Sequence, residues 1–86
     1  MFLAIGLLAA PMLAVAADDP AVLQLSQRLM AISANPDTAE LGAFERMQAQ
    51  QAIATLDKAK RRDRELAAYL AGRRVEIAET AVRAAL

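Results

Sequence analysis

From residue 20 onward, apolar residues recur at intervals of three and four, which is the spacing of an amphipathic α-helix. The pattern is interrupted twice, by the Asn-Pro pair at 35–36 and by the Arg-Arg-Asp triplet at 61–63. Strong helix formers such as Ala, Leu, Gln and Arg fill the segments between. We therefore predict an all-α fold, either a short three-helix antiparallel bundle or a long helical hairpin, with helices over about 20–33, 38–60 and 64–86.

Capping residues mark where each helix is expected to start. The Asp-Asp-Pro run at 18–20 predicts the first start, because an Asp side chain accepts the free amides of a first turn and Pro at the first helical position loses no hydrogen bond. Asp37, with Glu40 three residues later, predicts a capping box for the second helix. Asp63 is the predicted N-cap of the third helix.

The predicted second and third helices arrange their apolar residues differently. The second has two nearly opposite bands, which is typical of a helix between two neighbours; they are Leu41, Ala49, Ala52, Ile53 and Leu56, and Ala43, Phe44, Met47 and Ala54. The third has one broad apolar arc, formed by Leu66, Leu70, Ile77, Ala78, Ala81 and Ala85. Arg74 falls inside this arc, where it would snorkel or meet Glu45. Gly72 is expected to be a tolerated surface position.

The first sixteen residues contain no charged side chain, and acidic residues follow at 18 and 19. This run is shorter than the roughly 20 residues of a spanning helix, and small residues at 14, 16 and 17 fit signal-peptidase cleavage after Ala16 or Ala17. We predict a signal peptide over 1–17 and a helical domain over 18–86, exported to the periplasm. Because only the terminal amine is positive, an upstream start, an uncleaved inner-membrane anchor or a buried core helix stays open.

Composition narrows the classes of function. The chain has neither Cys nor His, which removes thiol nucleophiles, most zinc sites and the commonest general base. Only three residues are aromatic, too few for the base stacking that single-strand nucleic-acid binders use. We therefore expect no enzyme activity, no cofactor or metal and no nucleic-acid partner. Because so short a chain buries a modest share of its surface, we expect a protein partner or self-association.

One segment concentrates positive charge, although the net charge of the chain is zero; its basic residues are Lys58, Lys60, Arg61, Arg62 and Arg64. Cations are favourable at a helix C-terminus, so the segment is interpreted mainly as a turn between the second and third helices. The alternative is a contact with an anionic envelope component, either lipid or polymer. Apart from this segment, we expect contact with a membrane only through residues 1–17, if they are not removed.

The segment from Gln48 to Ala85 resembles domain of unknown function 4398. The similarity lies in an Ala-containing helix, a short charged turn at 61–63, and the run YLAGRRVEIAETA at 69–81. The preceding segment also looks like a helix of the family, so the resemblance covers about 19–86. The resemblance implies an exported, alanine-rich helical domain without known catalytic residues. In relatives this domain often precedes a coiled coil and a peptidoglycan-binding domain of the outer-membrane protein A type. No Gly, Asn or Pro closes the last helix, which is typical of a chain broken off at Leu86, and a natural end there stays open.

Charge is divided unevenly along the predicted domain. Residues 18–45 carry five acids and one base, whereas residues 46–86 carry nine bases and five acids. An antiparallel bundle can neutralise this difference internally, and an extended hairpin can instead assemble with another copy. The sequence thus predicts a non-enzymatic helical interaction or structural module of the cell envelope, and the alternative is a peripheral binder that uses the basic segment.

Overall fold

The computed structural model describes residues 19–86, which form three α-helices: α1 at Pro20–Ala34, α2 at Ala43–Lys58 and α3 at Arg61–Ala85. The predicted all-α class is confirmed for these residues, among which there is no strand. The predicted signal peptide over 1–17 lies outside the described residues.

Helix α1 starts and ends where the sequence predicts. The Asp19 Oδ1 atom accepts from the backbone nitrogens of Ala21 at 3.0 Å and Val22 at 3.4 Å, and Pro20 occupies the first helical position. Asn35 is extended and ends the helix. The cap is thus side chain to backbone, which satisfies amides that have no partner inside the helix.

The predicted start of the second helix is wrong, because residues 35–42 form turns and α2 begins at Ala43. Asp37 does not cap it. Instead, Asn35 Oδ1 accepts from the Asp37 amide at 2.9 Å, and the buried Thr38 hydroxyl donates to the Ile32 carbonyl at 2.7 Å. Gly42 has a φ of 61°, a left-handed conformation that ends the turns and cannot continue a helix.

The predicted boundary between the second and third helices is also wrong. Only Ala59 and Lys60 are extended, and α3 begins at Arg61 rather than at residue 64. Lys60, not Asp63, is the N-cap, and it provides no side-chain hydrogen bond. Two extended residues suffice to reverse the chain because the Ala59 amide closes α2 on the Leu56 carbonyl at 3.1 Å and Arg64 Nη1 donates to the Ala59 carbonyl.

The contacts between helices fix their directions. Asp19 at the start of α1 pairs with Arg64 near the start of α3, and Arg28 farther along α1 pairs with Glu79 farther along α3. Helices α1 and α3 therefore run the same way. Gly42 at the start of α2 lies against the end of α3, so α2 runs opposite to both. All three pairs of helices are in contact, which is compatible with a three-helix bundle.

Small and branched side chains fill much of the interior. The buried core consists of Leu25, Leu29, Ala49, Ile53, Leu56, Ala71, Val75 and Ala78. One predicted band of α2 is therefore in the core, because three of its members are buried there. On α3 every buried residue is Ala or Val, and small side chains allow helix axes to approach closely.

The broad apolar arc predicted for the third helix is for the most part not the buried face of α3. The buried residues are Ala71, Val75, Ala78 and Val82, whereas Leu66, Leu70 and Ile77 are exposed. At 100° per residue, the centres of these two sets lie about 130° apart around the helix axis. Both sets follow helical spacing, and the close approach of α1 and α2 selects the smaller side chains for the interior.

Candidate functional site

The outer face of α3 is the most distinctive surface of the described chain; we define it as Leu66, Tyr69, Leu70 and Ile77. These side chains are 63%, 64%, 50% and 41% exposed, respectively. Leu66, Leu70 and Ile77 fall within about 40° of one another around the helix axis. Large apolar residues at one angle on a solvent-facing helix are typical of an interaction surface rather than of scattered surface side chains.

A groove between α2 and α3 runs beside this face, on the side of the pair that α1 does not cover. It has a volume of about 400 Å³, and its lining is mainly apolar. Ala52 and Ala67 form its floor, while Leu66 and Leu70 belong to both the groove and the outer face. Its remaining lining residues are Thr55, Asp63 and Arg74. We call it the α2–α3 groove.

Arg74 is held at this groove by α2, although not by the residue expected from the sequence. Its Nη1 atom donates to Gln48 Oε1 at 3.0 Å, and no contact with Glu45 is formed. Arg74 is exposed, as is Asp63 eleven residues earlier on α3. The groove is therefore apolar along its length and carries one acid and one base.

Two further apolar surfaces lie on α1 and α2. A cleft of about 490 Å³ separates these helices and includes Leu29, Ile53 and the exposed Met30. The second predicted band of α2 is also exposed, with Phe44 at 60% and Met47 at 45%. The expectation that neighbours flank both sides of this helix is not met within residues 19–86.

The five basic residues of segment 58–64 do not act as one group. Arg64 has a structural role, because its Nη2 atom lies 2.8 Å from Asp19 Oδ2 and its Nη1 atom binds the Ala59 carbonyl. Lys58, Lys60, Arg61 and Arg62 are exposed, and none forms an ion pair with a described residue. The four exposed cations remain candidates for an anionic partner.

The dipole argument for this segment holds for only one residue. Lys58 lies in the last turn of α2, where a cation is favourable. Arg61 and Arg62 instead occupy the first turn of α3, at the positive end of its dipole. Their positions follow from the early start of α3, so the local helix ends do not explain why these residues are basic.

Ion pairs between α1 and α3 join Asp19 to Arg64 and Arg28 to Glu79. Arg28 donates to Glu79 through Nε at 3.1 Å and through Nη2, and this hydrogen bonding raises the pKa of the Arg28 guanidinium. Residues 19–86 contain no group of three or more potential metal-binding side chains. They also contain no helix long and apolar enough to cross a membrane.

Sequence reasoning placed Leu66, Leu70 and Ile77 in one apolar arc and treated that arc as the buried side of the helix, whereas Tyr69 was not part of it. The α3 sequence contains two apolar arcs, and hydrophobic spacing alone does not rank them. The signal that distinguishes them is size, because the Ala and Val arc fits a close helix crossing and the Leu and Ile arc does not require one. The α2–α3 groove has no single motif in the sequence.

The chain matches no family model. It has no match among the curated proteins. It also has no match among the solved structures. The resemblance to domain of unknown function 4398 thus stays a prediction that rests on the residues quoted for it.

Proposed function

We propose that residues 18–86 are a three-helix bundle that serves as a non-enzymatic interaction module of an exported, cell-envelope protein. Its binding surface is the α2–α3 groove together with the outer face of α3. One observation carries this proposal: the residues that α3 buries are all Ala or Val, whereas Leu66, Leu70 and Ile77 are 41–63% exposed. A chain selected only to fold would gain more by burying the larger side chains.

The energetic cost of this arrangement supports a binding role. Burying a Leu or Ile side chain fully contributes about 1.5–3 kcal/mol, and at these exposures a large part of that stabilisation is not used in folding. A partner that covers the face recovers it. The groove adds a recess beside the exposed Leu side chains, and such pockets are where the strongest contacts of an interface concentrate.

The non-enzymatic part of the proposal rests on chemistry that the chain does not carry. The sequence has no His to activate Ser26, Ser33 or Thr80 and no Cys. Ser33 donates to the Leu29 carbonyl at 3.1 Å and accepts from Arg46, so its hydroxyl is engaged in helix contacts. The export part rests on the charge-free run at 1–16 and on the small residues after it.

Site-specific photocrosslinking in a proteobacterial host tests the binding surface. A photoreactive residue replaces Leu70 in the groove, and a matched variant carries it at Asp57, which is exposed on the other side of α2 and lines the cleft between α1 and α2. The pair therefore compares the groove with the other recess of the bundle. We expect a discrete, higher-mass adduct from position 70 and none from position 57. Equal labelling at both positions, or no adduct at 70, would refute the binding surface.

Intact-mass analysis of the periplasmic fraction tests export separately. A mass equal to that of a chain starting at Ala17 or Asp18 supports cleavage and a periplasmic location. A full-length chain recovered from the membrane fraction contradicts cleavage and makes the segment over 1–17 an anchor.

A second candidate function is a peripheral contact with anionic lipid or polymer, favoured by the four exposed cations at 58–62. Changing Lys60, Arg61 and Arg62 to Ser removes three of them without touching the Arg64–Asp19 pair. Binding to anionic vesicles should then be lost, and the binding of the unmodified protein should fall steeply as salt screens the charges. Binding that does not respond to salt argues against this candidate.

A further inference from the structure

We propose that the α2–α3 groove binds the same groove of a second copy of the chain, with the two copies related by a two-fold axis. This inference rests on the proposed binding function and specifies its partner. Its basis is the order of groups along the groove: an acid at residue 63, apolar residues at 66, 67 and 70, and a base at residue 74.

This order is self-complementary. Asp63 and Arg74 are separated by eleven positions, about 16 Å along a helix, and have opposite charge. A two-fold axis perpendicular to α3 reverses the groove of the second copy, so Asp63 of each copy faces Arg74 of the other. A closed two-fold contact needs such a pattern, because each patch must match itself after rotation.

The apolar groups match under the same rotation. The midpoint of positions 63 and 74 lies between Ala68 and Tyr69, so Leu70 of one copy comes level with Ala67 of the other. Leu66 then lies one residue, about 1.5 Å along the helix axis, from the level of Leu70 of the other copy. The floor of the groove is Ala52 and Ala67, and their small side chains leave room for a Leu ridge to enter. The pair of α2 and α3 from each copy would then form a four-helix arrangement, with α1 outside it.

Neither charged side chain is committed to an ion pair that would prevent this contact. Asp63 forms no salt bridge with any residue from 19 to 86, and Arg74 is bound only to the neutral Gln48 amide. Both side chains are exposed. The groove as a whole is neutral, so a strongly acidic or basic partner has no electrostatic advantage over a second copy.

Complementary charge reversal tests this arrangement on the chain as it is recovered from the host. The Kd of self-association is measured by sedimentation for the unmodified protein and for the D63R and R74D variants. Each single variant places like charges at both ends of its homodimer, so we expect its Kd to rise about tenfold or more. Mixed in equal amounts, the two variants should form a heterodimer with a Kd close to that of the unmodified protein, and native mass spectrometry should show it in excess of both homodimers.

Two controls keep the result specific. The D57R variant makes the same substitution on the opposite side of α2 and should leave the Kd unchanged. Circular dichroism checks that each variant keeps its helical content. If the added cation in D63R disturbs the first turn of α3, the R74D variant still tests the arrangement, because position 74 lies in mid-helix.

The outcomes separate this inference from the function on which it rests. A monomer at 100 µM that still crosslinks through position 70 to a different protein overturns the second copy as partner but leaves the binding surface standing. A dimer whose Kd is unchanged by both charge reversals, or is changed equally by D57R, overturns the two-fold arrangement. A monomer with no adduct at position 70 overturns both.

Discussion

Gly42 and Gly72 should respond in opposite directions to the same substitution, Gly to Ala. Gly42 has a φ of 61°, and a Cβ added to it would lie 3.3 Å from Val82 Cγ2 and 3.6 Å from Ala81 Cβ. Gly72 lies within α3 at a helical φ, and an added Cβ would meet no atom within 4 Å. The comparison therefore distinguishes a position whose backbone conformation requires Gly from a position where Gly is only tolerated.

The magnitudes follow from these geometries. A left-handed conformation costs a non-Gly residue roughly 1–2 kcal/mol, and the contact with Val82 adds to this because that side chain is only 2% exposed and has little room to move. Reduced freedom of the unfolded chain returns about 0.4–1 kcal/mol. We expect G42A to lower the free energy of unfolding by about 1.5 kcal/mol and G72A to raise it by about 0.5–1 kcal/mol.

Urea and thermal unfolding of the two variants measure this difference. For a domain of this size, 1 kcal/mol corresponds to about 4–8 °C in Tm, so the two Tm values should differ by roughly 8–20 °C. Repeating G42A in a V82A background isolates the contact, because its share of the cost should disappear while the backbone share remains. A neutral or stabilising G42A would contradict the left-handed turn at the start of α2, and a destabilising G72A would show that a neighbour approaches α3 there.

Five other substitutions test the core, the turns between α1 and α2, and the α1 cap. Leu56→Ala should cost about 2–5 kcal/mol because Leu56 is 1% exposed, whereas Leu66→Ala should cost less than about 1 kcal/mol; equal losses in urea unfolding would contradict the assignment of faces on α3. Thr38→Val should cost about 1–2 kcal/mol by leaving the carbonyl at the end of α1 without its donor, while Thr38→Ser should retain most of the stability. Asp19→Ala removes both a cap and the ion pair to Arg64, so it should cost about 1–2 kcal/mol and should become less costly in 1 M salt as the ionic part is screened.

The helices are predictable because their signals, apolar spacing and capping residues, are local in the sequence. Their bounds are less predictable because they also depend on contacts between helices. The start of α1 follows from Asp19 and Pro20, which act within one turn of the chain. The start of α2 does not follow from Asp37 and Glu40, because the chain turns over residues 35–42 and those turns end at Gly42, which is left-handed and lies against the far end of α3. A contact between residues forty positions apart is not visible in a local motif.

The candidate site shows the same division. Periodicity identified Leu66, Leu70 and Ile77 as one arc, which is a property of α3 alone. Whether that arc is buried depends on which arc α1 and α2 approach, and this is decided by packing among all three helices. Similarly, Arg64 reads as one more cation in a basic segment until the fold brings it to Asp19.

The interior side of α3, which consists of Ala and Val, affects which mutations the domain can tolerate. Ala has no side-chain rotamers to lose on folding and Val has few, so ordering the α3 interior carries little conformational entropy. The stability of this interior depends on how closely the helix backbones approach one another. Larger side chains would hold the backbones apart, so the interior has almost no room for them. The large apolar residues outside are free of that restriction. Mutation can therefore change the apolar surface that α3 exposes without disturbing the interior of the bundle.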